Sequence, residues 1–96
     1  MPAFKLYTMD PDKLIIVKAV GKVLRELRLS QNLTIEQVAN LSGLEYSQVS
    51  RIERGKINTS VYHLILILTT LKVSPDQAMK HLQQQIKSIR KQEPVG

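Results

Sequence analysis

Between two glycines the chain reads GLEYSQVSRIERG, residues 43–55. Turned at 100° per residue, a helix over Tyr46–Arg54 separates this stretch into two sides. Val49 and Ile52 fall together on one. Tyr46, Ser47, Ser50, Arg51 and Arg54 fall on the other, with Gln48 and Glu53 on the flanks. That wet side carries two guanidinium groups, an aromatic ring and two small hydroxyls, and no carboxylate. A face that meets only solvent more often mixes Glu and Lys in pairs three or four residues apart. A row of donors without acids suits a polyanion, and the wheel therefore predicts a nucleic-acid-binding face.

Other chemistry finds no support along the chain. His63 and His81 are isolated, and no paired carboxylates, nucleophile–base set or glycine-rich phosphate loop accompanies them. The sequence predicts no enzyme activity, no metal site and no cofactor. There is no cysteine, which removes disulfides, zinc ribbons and thiolate nucleophiles.

Composition agrees with the wet face. Ninety-six residues with a formal net charge of +6 form a basic chain of single-domain size, and a basic balance draws polyanions. The apolar fraction is 43% with few aromatics, a mixture that favours packed helices. A chain this short buries roughly 60–65% of its unfolded surface, so a partner subunit would add stability. The N-terminus MPAFKLYTMDPDK lacks the apolar core of a secretory leader. The run LILIL, residues 64–68, is far below the about 20 apolar residues a membrane span needs. No membrane association and a cytoplasmic location are expected.

The elements that must position the wet face can be placed from spacing and caps. Helix one is predicted from about Asp12 to Leu29, with Val17, Val20, Leu24 and Leu27 on one face. Asn32 stands where a left-handed residue would close the connection. Thr34 and Gln37 form the reciprocal capping arrangement for helix two, which Gly43 stops. Helix three runs from Tyr46 to Arg54 and ends at Gly55. Asn58 or Thr59 caps a fourth helix over 60–72, apolar nearly all round, which implies burial on more than one side. Ser74, Pro75, Asp76 and Gln77 open helix five, which continues to about Lys91. Residues 1–12 read as an arm or short strand, 13–83 as the domain, and 84–96 as an extension of the last helix.

The spacing of helices two and three is more specific than any composition. Two short helices crossing steeply over a three- to four-residue turn form a helix-turn-helix. The crossing needs a small residue at the contact, a glycine able to take positive φ in the turn, and branched residues beneath. Ala39, Gly43 and Val49 stand in those places, with Val38, Leu44 and Ile52 below them.

The stretch GKVLRELRLSQNLTIEQVANLSGLEYSQVSRIERGKINTSVYHLILILTTLKVS, residues 21–74, resembles the phage repressor and Cro-like family of bacterial regulators, often called XRE. SRIERGK followed by LKVS is highly typical of it. The resemblance implies an all-α, compact five-helix lambda-repressor-like DNA-binding domain that regulates transcription. It implies a homodimer on double-stranded DNA with a two-fold-related operator. Arg28 and Glu53 match a family pair that bridges helices one and three and orients the reading helix. Tyr46, Ser47 and Arg51 fall at the family's base-reading positions, and Ser50 lies beside them. An arginine can grip guanine O6 and N7 together, worth roughly 1–3 kcal/mol of discrimination. Arg54, Lys56, Asn58 and Thr59 match the loop that holds the phosphate backbone, and Gln48 joins them from the flank of helix three. Two positions depart from the pattern. Ile35 stands where members commonly place a phosphate-contacting glutamine, and Glu45 stands where Ser, Thr or Asp caps helix three.

Met79, Leu82, Ile86 and Ile89 recur at three, four and three residues along helix five, a seam suited to pairing with a second copy. Leu66, apolar where the family is usually polar, joins that expected dimer interface. A rival reading is an antitoxin-type module whose helix-turn-helix serves autoregulation while its ends bind a toxin or other protein. A basic helix for RNA or membranes is a third, and it leaves the helix-turn-helix spacing unexplained.

Overall fold

The computed structural model describes residues 11–92. Five helices follow in order: α1 (Pro11–Ser30), α2 (Ile35–Ser42), α3 (Tyr46–Glu53), α4 (Val61–Thr70) and α5 (Pro75–Gln92). No strand occurs among the described residues. The arm expected over residues 1–12 falls almost wholly outside them.

Local chemistry sets the boundaries. Thr34 accepts from the Gln37 amide at 3.0 Å while the Gln37 side chain accepts from the Thr34 amide at 2.8 Å, closing the start of α2 from both sides. Ser60 caps α4 by accepting from the His63 amide, and Ser74 does the same for α5 through Gln77. The cap of α4 is thus Ser60 rather than Asn58 or Thr59. Those two stay in the preceding loop, and α4 spans Val61–Thr70, shorter than its expected 60–72.

The first four helices end alike. A left-handed residue follows each, Asn32 (φ 59), Gly43 (φ 76), Gly55 (φ 67) and Lys72 (φ 58). The next amide then bonds back five residues, from Leu33 to Arg28, Leu44 to Ala39, Lys56 to Arg51 and Val73 to Leu68, at 2.9–3.2 Å. This closing satisfies carbonyls that the helix leaves open and reverses the chain in few residues.

The core gathers Val38 and Ala39 of α2, Val49 and Ile52 of α3, Ile67 and Leu68 of α4, and Leu71 after it, around Leu24 of α1. Burying a branched side chain of this size contributes about 1.5–3 kcal/mol. The sequence marked one apolar face on the first helix, but α1 is buried along two. Val17, Leu24 and Arg28 turn to one side. Ile15, Ala19 and Val23 are equally buried on the other. That second face lies with Asp12 and Glu26, which bond to Arg90 and Gln85 of α5. Half of α1 therefore serves to seat the last helix.

α4 departs from expectation in the opposite sense. Ile67 and Leu68 are buried, but Val61 remains 76% exposed and Tyr62 69% exposed, with Ile65 also open. Among the described residues α2 and α5 lie closest along this helix, and one apolar side of it stays exposed. Val61, Ile65, Leu82 and Met79 line an open apolar groove of about 240 Å³ between α1, α4 and α5.

Candidate nucleic-acid interface

α2 and α3 cross as the spacing required. Ala39 and Val49 are both buried at the contact, and Gly43 takes positive φ in the turn, where nothing crowds it. The geometry leaves one side of α3 open. Tyr46 is 57% exposed, Ser47, Arg51 and Arg54 are exposed, and Ser50 is half-buried. The five residues of the wet face thus stay together, over a floor of Val49 and Ile52.

Two anchors set the angle of α3. Arg28 of α1 donates through Nε to one oxygen of Glu53 at 2.7 Å and through Nη2 to the other at 2.9 Å. Its remaining nitrogen donates to the Leu33 carbonyl at 2.8 Å, which draws the α1–α2 turn into the same knot. The side-chain bond to Glu53 holds the Arg28 guanidinium above its ordinary range, outweighing the opposing effect of burial. A bidentate pair of this kind fixes orientation as well as charge. The second anchor is steric. Gly21 of α1 lies against the end of α3, and a Cβ there would come within 2.7 Å of the Glu53 carbonyl oxygen.

The flank of α3 toward α4 is tied as well. Gln48 Nε2 donates to His63 Nδ1 at 3.1 Å. The amide assigned from sequence to a phosphate is therefore engaged within the protein. His63, isolated in the sequence, is half-buried and links α3 to α4. No sequence motif marks such a pair, since fifteen residues separate its members.

The loop after α3 presents Lys56 and Asn58 as exposed side chains, and Thr59 is half-buried. Thr59 spends its hydroxyl on the Ser60 carbonyl at 3.4 Å, and Arg54 Nε turns back to the Ser50 carbonyl at 3.3 Å. The other Arg54 nitrogens make no hydrogen bond among the described residues. At the opposite end, Glu45 occupies the cap position of α3 and makes no capping hydrogen bond. The Tyr46 and Ser47 amides find no partner among the described residues, while the Gln48 amide donates to the Glu45 carbonyl at 3.1 Å, and the exposed Glu45 carboxylate stands beside them. Ile35 is half-buried against the core, so the position where a glutamine would reach out serves packing instead.

The residues expected at a dimer seam divide. Met79 and Leu82 line the apolar groove beside Val61 and Ile65. Leu66 is half-buried and does not line it, while Ile86 and Ile89 are half-buried along a helix that packs chiefly on α1. α5 runs unbroken from residue 75 to 92, with no interruption near residue 83. Among the described residues no helix is long and apolar enough to cross a membrane, and no cluster of His, Cys, Asp or Glu could hold a metal ion.

Residues 24–77 match the model of a family described as helix-turn-helix. Among solved structures, the restriction-modification controller protein C.Esp1396I, a tetramer in complex with its natural 35 base-pair operator, is 30% identical with a TM-score of 0.72. The match covers 75% of this chain and 95% of that one. The controller protein C.AhdI from Aeromonas hydrophila is 40% identical at a TM-score of 0.61, over 66% of this chain and 94% of that one. The clp gene regulator ClgR from Corynebacterium glutamicum superposes at a TM-score of 0.76, over 80% of this chain and 82% of that one. At 22% identity it speaks for the fold alone. No match is found among curated proteins.

Proposed function

This chain belongs to the Cro/C1-type helix-turn-helix family, and we propose from that membership that it is a DNA-binding transcriptional regulator. In this reading it acts as a homodimer on a two-fold-related operator, with α3 in the major groove. Arg51 and Ser47 read base edges, Tyr46 and Ser50 add contacts at the margin, and Arg54, Lys56 and Asn58 hold phosphates. The observation that carries the reading is the acid-free, hydroxyl- and guanidinium-bearing side of α3, held outward by the Arg28–Glu53 pair.

The controller protein C.Esp1396I bound as a tetramer to its operator supports both the DNA and the assembly parts of this reading. The groove between α4 and α5 supports the second further. Val61, Tyr62, Ile65 and Met79 are large apolar side chains left in water on one side of the domain, and a contiguous apolar patch marks an interaction surface. A second copy meeting across α4 would shelter them. Two recognition helices would then lie about 34 Å apart, one turn of the duplex. Phosphate contacts fix the register and base contacts choose the site. Regulation then follows from occupancy of the operator, with no chemical step.

In vitro selection of bound duplexes at stated salt tests the proposal. A recovered consensus with two-fold symmetry is expected. Equal recovery of all sequences would overturn the specific regulator, and a consensus without symmetry would overturn the homodimer.

A further inference from the structure

α1 reaches well before the family's matched region, which begins at residue 24. Along this helix Leu14, Lys18, Lys22, Arg25 and Leu29 recur at intervals of four, four, three and four, and all five are exposed. They form one edge of the helix. Its three central members are cations. Lys18, Lys22 and Arg25 make no ion pair or side-chain hydrogen bond among the described residues. Glu26, four residues after Lys22, bonds to Gln85, and Glu53 is held by Arg28, while Glu36 lies at the Leu29 end of the edge. Like charges four residues apart oppose each other along a helix, so stability of α1 does not account for Lys18 and Lys22 together.

The position of this edge is fixed by two glycines and one shared depression. Gly55, at the end of α3, packs on the backbone of Lys18, where a Cβ would stand 3.3 Å from the Lys18 Cα. Gly21 brings the same stretch of α1 against the carbonyls that end α3. At the other end, Leu29 shares a surface depression with Thr34, Ile35 and Tyr46. The edge therefore runs alongside α3, with Leu29 near Tyr46 at one end and Lys18 against Gly55 at the other.

We propose that Lys18, Lys22 and Arg25 form a second phosphate-binding strip, which grips the DNA backbone alongside the groove that receives α3. The inference rests on the proposed DNA-binding function. Lys18 to Arg25 spans about 10 Å at 1.5 Å per residue. At 3.4 Å of axis per phosphate on one strand, that length matches about three phosphates. Contacts of this kind add affinity and salt sensitivity while reading no sequence.

The test uses the full chain carrying K18Q, K22Q and R25Q together, with fluorescence anisotropy on a selected operator and on an unrelated duplex of equal length. Salt runs from 50 to 200 mM. The expected result is a slope of log K against log salt shallower by about 2–3, since each lost phosphate contact removes about 0.9. Both duplexes should weaken by the same factor, leaving their ratio unchanged. The K18R, K22R variant should keep the parental slope. A parental slope in the glutamine variant would overturn the strip while the DNA-binding reading stands. A changed ratio between the two duplexes would also overturn it, because the residues would then be reading bases. A parent that binds neither duplex would overturn the functional reading, and the strip with it.

Discussion

Gln48 and His63, fifteen residues apart, meet at 3.1 Å and tie α3 to the start of α4. On the opposite flank Arg28 holds Glu53 by two hydrogen bonds. α3 is therefore braced on both sides of its wet face, and the freedom left to it is that of its exposed side chains. Rigid presentation keeps the ordering cost of binding low. If the Gln48 brace matters to presentation, His63→Ala should weaken operator binding several-fold while the fold, followed by circular dichroism, changes little.

Arg28→Ala should be among the most damaging single substitutions. It leaves the Glu53 carboxylate, whose side chain is 5% exposed, without its partner. Breaking such a pair from one side costs roughly 3–5 kcal/mol, and urea unfolding would read it directly. The pH dependence has a definite sign. Because the contact raises the arginine's value, its contribution is present below the ordinary arginine range and is lost only as pH climbs beyond it. Unfolding between pH 6 and 10 should show no loss attributable to this guanidinium.

Gly21→Ala sets two effects against each other. Replacing glycine inside a helix gains about 1 kcal/mol of propensity. The added methyl meets the carbonyls of Ile52 and Glu53, which are backbone and cannot turn away, and overpacking costs typically 1–3 kcal/mol. We expect a net loss in thermal stability and a displaced α3. Lys22→Ala, one residue away on the exposed side, should leave the melting temperature nearly unchanged.

Glu45→Ser should stabilise the domain. The cap of α3 is empty, and a serine accepting from its second- or third-residue amide is worth about 1 kcal/mol. The same change removes a negative charge beside the proposed interface, so duplex affinity should rise together with the unfolding midpoint. Stability rising while affinity falls would mean that Glu45 itself takes part in recognition.

Arg51→Ala and Lys56→Ala should differ in kind. Losing a bidentate base contact costs about 1–3 kcal/mol at one position of the site and relaxes preference there. Losing a phosphate contact weakens all duplexes alike and lowers the salt slope by about 1. For assembly, Ile65→Glu is a cleaner probe than shortening α5. Removal of residues beyond Leu82 would also strip the Gln85–Glu26 and Arg90–Asp12 contacts with α1. Light scattering should give a monomer for Ile65→Glu, and a persistent dimer would place the interface elsewhere.

The sequence by itself determined the parts governed by neighbours along the chain. Thr34 with Gln37 fixed where α2 begins, and Gly43 and Gly55 fixed where α2 and α3 end, because caps and left-handed residues act within one turn. The 100° period of residues 46–54 separated the wet side of α3 from its floor for the same reason. The Arg28–Glu53 pair was legible only through the resemblance, since nothing local joins residues 25 apart.

Tertiary structure decided the rest. α1 is buried on two faces because α5 returns along it, and no single apolar stripe announces that. α4 reads as buried all round, yet among the described residues its neighbours cover only part of it, which leaves Val61 and Tyr62 exposed. Gln48, expected at a phosphate, is held by His63. Lys18, Lys22 and Arg25 look like an ordinary solvated edge until Gly21 and Gly55 bring them beside α3. Each of these facts depends on which helix lies against which, and that is settled by packing across the chain rather than along it.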